Sequence, residues 1–230
     1  MNTINYKTRV SELADIANRL VQLFGQQAEL QSDWFLKKLF ANIESQTSAL
    51  SVAIKREMAV SKLEEADNLR DETVINLNNI LKGYKSMRST EIRESADKLY
   101  SVFERYGTKI TRENYSSASA HIDSLLRDLS VAELEESISK LSGVSETIEE
   151  LRSRQSAFST ERMAYEKAIS AREAEASATS LKRPLLSTIN TKLVNYLTAL
   201  REENKYVNFY QVVAQVIDDA NTTVARRSKK

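Results

Sequence analysis

Apolar residues recur along this chain at spacings of three and four, and nowhere alternate in the manner of a strand. Val10, Leu13, Ala17, Leu20 and Phe24 trace one helical stripe that Gly25 closes. Ser32 or Asp33 then caps a second helix, whose Leu36, Phe40, Ile43, Thr47, Leu50 and Ile54 form a packing seam. The seam resumes as Leu63, Ala66, Arg70, Thr73, Leu77, Ile80, Tyr84 and Met87. Ser61 and Glu64 have capping-box spacing and would divide residues 33–88 into two helices. Without that break the segment is one rod, kinked or straight, of roughly 80 Å at 1.5 Å per residue. We read it as one long rod.

The pattern continues without a competing strand. Ser89 or Thr90 opens a helix with Ile92, Leu99, Phe103 and Tyr106 inside and Gly107 at its end. Ala118, Ile122, Leu125 and Leu129 mark the next, and Ser130 with Glu133 forms a capping box for a short helix that Gly143 stops. A second long helix presents Ile148, Leu151, Gln155, Phe158, Arg162, Tyr165 and Ile169. Pro184 marks a start or a kink, followed by Ile189, Leu193, Tyr196 and Leu200, and then Val207, Tyr210, Val213, Ile217 and Val224. The expected fold is all-α, an elongated bundle of about seven to nine helices with two long ones as its spine, in a single domain over 1–230.

Composition agrees with that reading. Four glycines and one proline in 230 residues leave few interrupters of helix, and 41% hydrophobic content is enough for a packed core. Lys and Arg number 33 against 32 Asp and Glu, so no global basic surplus exists to neutralise phosphates, and nucleic acid is not an expected partner. Positive charge gathers only in the tail, Arg226, Arg227, Lys229 and Lys230, which is either a solvated terminus or a patch for a phosphate or membrane surface. No apolar run approaches a membrane span, and the first residues lack the apolar core of a secretory signal, so a cytoplasmic protein is expected.

Catalytic chemistry finds little support. The chain has no cysteine, which removes disulfides, thiolate metal sites and cysteine nucleophiles. His121 is the one histidine, so a di-iron bundle with its paired Glu-x-x-His motifs cannot be assembled. No glycine-rich phosphate loop is present, and adjacent pairs such as Glu64–Glu65 and Glu149–Glu150 fit solvated helix faces. No catalytic residue, cofactor or metal is expected.

Two features carry polar or contact potential. Asp67, Arg70 and Asp71 share one helix face, with Arg70 on the apolar stripe, where a guanidinium is stable only with partners. The group is either an ion-pair cluster fixing helix register or an anion or metal site, and Arg162 between Phe158 and Tyr165 resembles it as a second polar anchor. Trp34 and Phe35 are adjacent and cannot both face one core, which leaves one as a candidate partner contact.

An offset of 112 residues pairs Ala66 with Ala178, Leu77 with Ile189, Asn78 with Asn190, Leu81 with Leu193 and Tyr84 with Tyr196. Residues 1–110 and 111–230 are then either duplicated half-bundles about a pseudo-twofold axis or amphipathic rods in chance register. The run Leu63, Asp67, Arg70, Asp71, together with Ala96, Leu99, Phe103, Tyr106, Gly107, resembles a family of uncharacterised all-helical proteins common in gut Bacteroidetes. The likeness continues through Ile122, Leu125, Leu126, Asp128, Leu129, then Leu151, Gln155, Phe158, Arg162 and the 206–226 helix, with Gln155 where the family pattern has Asn. The resemblance implies an all-α domain of unknown function with no established activity; some members carry a haemagglutinin label.

The function expected from these features is non-enzymatic, structural or protein-binding, through an exposed helix face that takes another protein or a second copy. A small-ligand or anion binder using the Asp67–Arg70–Asp71 face is the alternative from another class. A nucleic-acid or envelope-associated factor using the basic tail is a third.

Overall fold

The computed structural model describes residues 1–170 and 176–229, and no strand occurs among them. The helices are α1 (Val10–Gly25), α2 (Trp34–Lys85), α3 (Thr90–Glu104), α4 (Tyr115–Leu129), α5 (Ala132–Ser139), α6 (Val144–Ser170), α7 (Ala178–Ser187), α8 (Val194–Ala199) and α9 (Asn204–Ser228). A π-helical turn, Thr188–Leu193, joins α7 to α8 without a break, and short 3₁₀ turns occupy Ala28–Ser32 and Thr108–Arg112. None of these helices is long and apolar enough to cross a membrane.

Residues 33–88 hold a single helix, because α2 runs for 52 residues and Ser61 and Glu64 lie inside it. Asp33 starts it by accepting the Leu36 amide on Oδ1 at 3.0 Å. Ser89 caps α3 in the same way, and Gly107, at φ 63°, leaves that helix in the left-handed conformation that favours glycine.

The chain divides into two compact units, Met1–Met58 with Ala168–Lys230, and Ala59–Lys167, with the boundary inside α2. Each therefore takes chain from both sides of residue 110. In the first unit Phe24 stacks on Phe40 at 4.2 Å between ring centres, and Phe209 tilts against both. Leu13 and Leu20 from α1, Leu50 from α2, Ile189 and Leu193 from the π turn, and Val213 and Ile217 from α9 complete this core. The second unit buries Val74, Leu77 and Leu81 of α2 with Leu99 and Phe103 of α3, Ile122 and Leu125 of α4, and Leu151 of α6. Each such side chain contributes about 1.5–3 kcal/mol relative to exposure.

Some local expectations are overturned. Ser130 opens no capping box: it ends α4, its hydroxyl donates to the Leu126 carbonyl, and α5 begins after Val131 with no side-chain cap. Met87 and Ile169 leave the core, 51% and 45% exposed, because one lies past the end of α2 and the other in the last turn of α6. Pro184 starts nothing: it lies inside α7, four residues before the π turn. The buried face of α9 is Tyr206, Phe209, Val213, Val216, Ile217 and Val224, so Val207 and Tyr210 flank it.

Candidate functional site

Arg70 is the largest fully buried side chain, 1% exposed, and it belongs to the Ala59–Lys167 unit. It leaves α2 on the apolar stripe because Leu63, Thr73 and Leu77 share that side of the helix. Its guanidinium lies over the Phe158 ring at 3.8 Å from the centroid. Nη2 donates to Asp67 Oδ1 at 2.5 Å, one turn earlier on the same helix. Nη1 donates to Ser119 Oγ on α4 at 3.0 Å and to Gln155 Oε1 on α6 at 3.1 Å. Gln155 passes the link on, its Nε2 donating to Asp123 Oδ1 at 3.1 Å. Tyr115 closes the far side with an edge-on contact to Phe158 at 5.3 Å. One buried cation thus joins α2, α4 and α6; only Nε lacks a partner.

Asp71 stands apart. The ion pair of Arg70 goes to Asp67, while Asp71 lies half-buried on the next turn without one to Arg70 among the described residues. Burial and the neighbouring Asp67 push its carboxyl up to about 6, against the pull of Arg70. The cluster is therefore an Arg70–Asp67 pair beside a half-buried carboxyl that holds its proton more tightly than usual. Gln155 is 8% exposed, its Oε1 accepting from Arg70 and its Nε2 donating to Asp123.

Arg162 is half-buried on α6, pairing with Glu166 at 3.2 Å and donating to Ser116 Oγ at 3.0 Å. It neither joins Arg70 nor shares a partner with it. His121 is exposed and contacts Glu113 at 2.7 Å. Among the described residues no group of three or more acids and histidines is placed to hold a metal ion. A surface cleft of about 620 Å³ is bordered by Asp123, Arg127, Arg152 and Gln155, so it touches the Arg70 network at Gln155 and Asp123.

In the other unit, Asp33 is the corresponding polar centre. Its Oδ2 accepts the hydroxyls of Tyr196 and Tyr206, each at 2.7 Å, while Oδ1 caps α2. Burial raises its pKa, but the Leu36 amide and the two hydroxyls outweigh that and hold it below the ordinary 3.8. Phe35 packs beside this centre, stacked on Tyr196 at 4.4 Å. Trp34 faces outward, 72% exposed, with Lys38 Nζ 5.2 Å from its ring centre.

The tail is less free than its sequence implies. Arg227 pairs with Glu12 and donates to the Lys7 carbonyl at 3.0 Å. Arg226 and Lys229 are exposed, and Lys230 lies outside the described residues. Sequence reasoning missed Asn190 and Asn221, which hold the backbone around Ile4, and it missed Ser119 and Asp123. The coincidence of Asn78 with Asn190 under the offset was the one signal pointing to any of them.

Among the described residues the protein is all-α, and each unit holds one polar centre, Asp33 in the first and Arg70 in the second. The model of a family of unknown function, DUF6261, matches residues 60–221, and the chain belongs to that family. No curated protein and no solved structure matches it.

Proposed function

We propose that this chain is a non-enzymatic helical protein with a structural or protein-binding role, acting through an exposed helix face. The observation that carries the reading is Trp34. A large aromatic side chain, 72% exposed at the start of a 52-residue helix, is the type of residue that anchors protein interfaces. Arg70, by contrast, is occupied within the fold, spending both terminal nitrogens on Asp67, Ser119 and Gln155. The proposal includes a cytoplasmic location and the gut Bacteroidetes setting that the resemblance implies; the haemagglutinin label plays no part in it.

The alternative is a small-ligand or anion site at the Asp67–Arg70–Asp71 face, where Arg70 bonds Gln155 at the edge of the cleft bordered by Arg127 and Arg152. A thermal-shift series with inorganic phosphate, citrate and ATP separates the two readings. Unchanged midpoints support the protein-binding role. A saturable rise that disappears in Arg70→Lys overturns it in favour of the anion site. The tail-based alternative is weakened by the Arg227–Glu12 pair, which neutralises one of its charges.

We also propose that the two halves, 1–110 and 111–230, are duplicated. Tyr84 and Tyr196, paired by the offset, do equivalent work. Tyr84 donates to the Ser142 carbonyl just ahead of α6, and Tyr196 donates to Asp33 just ahead of α2.

A further inference from the structure

The first turns of α2 bury Leu36, Phe40, Ile43 and Leu50 on one side and leave the opposite side in solvent. At about 100° per residue, the exposed Trp34, Ala41, Ser45 and Ser48 run down the middle of that outer face. Lys37 and Glu44 lie on one flank of it, about two turns apart, and Lys38 and Asn42 lie on the other. All four flanking side chains are exposed, and Lys38 holds its ammonium beside the Trp34 ring. Neither Lys37 nor Glu44 has an ion pair within the chain among the described residues. An indole and two opposite charges thus share a helix face on which the fold itself makes no use of the charges.

This face is complementary to itself. A twofold axis at right angles to α2, passing midway between Phe40 and Ala41, sets two copies of the helix antiparallel and face to face. Positions 37 and 44 are equally far from that axis in opposite directions, and the rotation keeps each flank on its own side. Lys37 of each copy therefore meets Glu44 of the other, giving two reciprocal ion pairs. Trp34 arrives between Ser45 and Ser48 of the second copy, whose short side chains leave room for an indole. The two Ala41 side chains meet near the axis, where their small size allows helices to approach to about 8 Å. Lys38 faces Asn42 on the other flank, so no like charges are brought together. Parallel packing would instead set Lys37 beside Lys38. A foreign partner gives no reason for the two ends of the face to match each other under a twofold, whereas an isologous dimer requires it. We propose that residues 34–48 of α2 form a homodimer interface, in which two copies of this chain pack antiparallel through reciprocal Lys37–Glu44 pairs. The inference rests on the protein-binding reading and names its occupant, a second copy.

The test is sedimentation equilibrium of the full chain and of two variants, Lys37→Glu and Glu44→Lys. Both substitutions lie at exposed positions and leave the core untouched. Wild type is expected to dimerise reversibly at roughly 10–100 µM, as suits a modest interface. Each variant alone places like charges at both pairs and should dimerise at least about tenfold more weakly. An equimolar mixture of the two should recover wild-type dimerisation, because the mixed dimer restores opposite charges at both pairs. A chain that stays monomeric across that range overturns the proposal and leaves the face to a different partner. A dimer indifferent to both variants overturns it too, as does a mixture that fails to recover. The broader protein-binding reading falls on a separate result, a saturable phosphate, citrate or ATP shift that Arg70→Lys abolishes.

Discussion

Arg70 lies on the face of Phe158, the guanidinium carbon 3.8 Å from the ring centre, with Asp67 and Gln155 at its rim. A cation this deeply buried is tolerated only because two of its nitrogens are bonded and its flat face meets an aromatic ring. Removing it leaves the carboxylate of Asp67 unpaired and opens a void beneath Phe158. Arg70→Ala should cost about 3–5 kcal/mol in urea unfolding. Arg70→Met, which fills the space, should cost clearly less if packing dominates and about the same if the charge does. A wild-type unfolding midpoint for Arg70→Ala would show that the node carries no stability.

Asp71 gives the same region a pH dependence. Its carboxyl titrates near 6 in the fold against 3.8 when free. The folded chain therefore holds its proton more tightly. That contribution is fully present below about pH 4 and is lost as pH rises through 6. Asp71→Asn should raise neutral-pH stability by about 1 kcal/mol, the full shift being reduced because the side chain is partly in water. It should also flatten the stability profile between pH 4 and 6. A profile identical to wild type in that window would contradict the assignment.

Asp33 should behave in the opposite sense. Its carboxyl lies below 3.8 in the fold, since one amide and two tyrosine hydroxyls favour the ionised form over the cost of burial. Its contribution is present above about pH 4 and disappears as pH falls through the folded value. Asp33→Ala removes the α2 cap and strands two hydroxyls, which should cost about 2 kcal/mol at pH 7. Tyr196→Phe and Tyr206→Phe should each cost less than that. Equal stability of Asp33→Ala and wild type at pH 7 would show the centre to be incidental.

Trp34 can be followed directly, because it is the only tryptophan. Its emission should be red-shifted and readily quenched by acrylamide in the isolated chain. Trp34→Ala should change unfolding free energy by less than about 0.5 kcal/mol, as expected of an exposed side chain. If it anchors an interface, the emission shifts blue when the partner or second copy binds. A blue, quench-resistant spectrum in the dilute monomer would place the indole in the interior.

Much of this architecture was legible from spacing. The Leu36-to-Leu50 and Ile122-to-Leu129 stripes became buried seams because amphipathic periodicity is a local property that tertiary packing only has to accept. Arg70 was legible as an anomaly, a charge on an apolar stripe. Its partner Ser119, and Asp123 beyond Gln155, were not, since they sit on another helix, and nothing local in Ser or Asp announces an acceptor for a group elsewhere in the chain. The extended N-terminal segment was invisible for a related reason. Side-chain amides clamp backbone, and backbone has no sequence signature. The Ser130 box failed because Ser130 ends α4, its hydroxyl donating back to the Leu126 carbonyl, and Val131 rather than Ser130 stands at the N-cap of α5. The helix face of α9 was misplaced because Val207 and Tyr210 compete in hydrophobicity with Tyr206 and Phe209, and only neighbouring helices decide between them.

The central claim is that the polar interior is spent on the fold and that the chain works by contact with protein. Native mass spectrometry of the purified, untagged chain tests it most directly. The account predicts species at 26.1 kDa or its multiples with no additional mass. A small-molecule or metal adduct that copurifies with wild type and is lost in Arg70→Lys would contradict it.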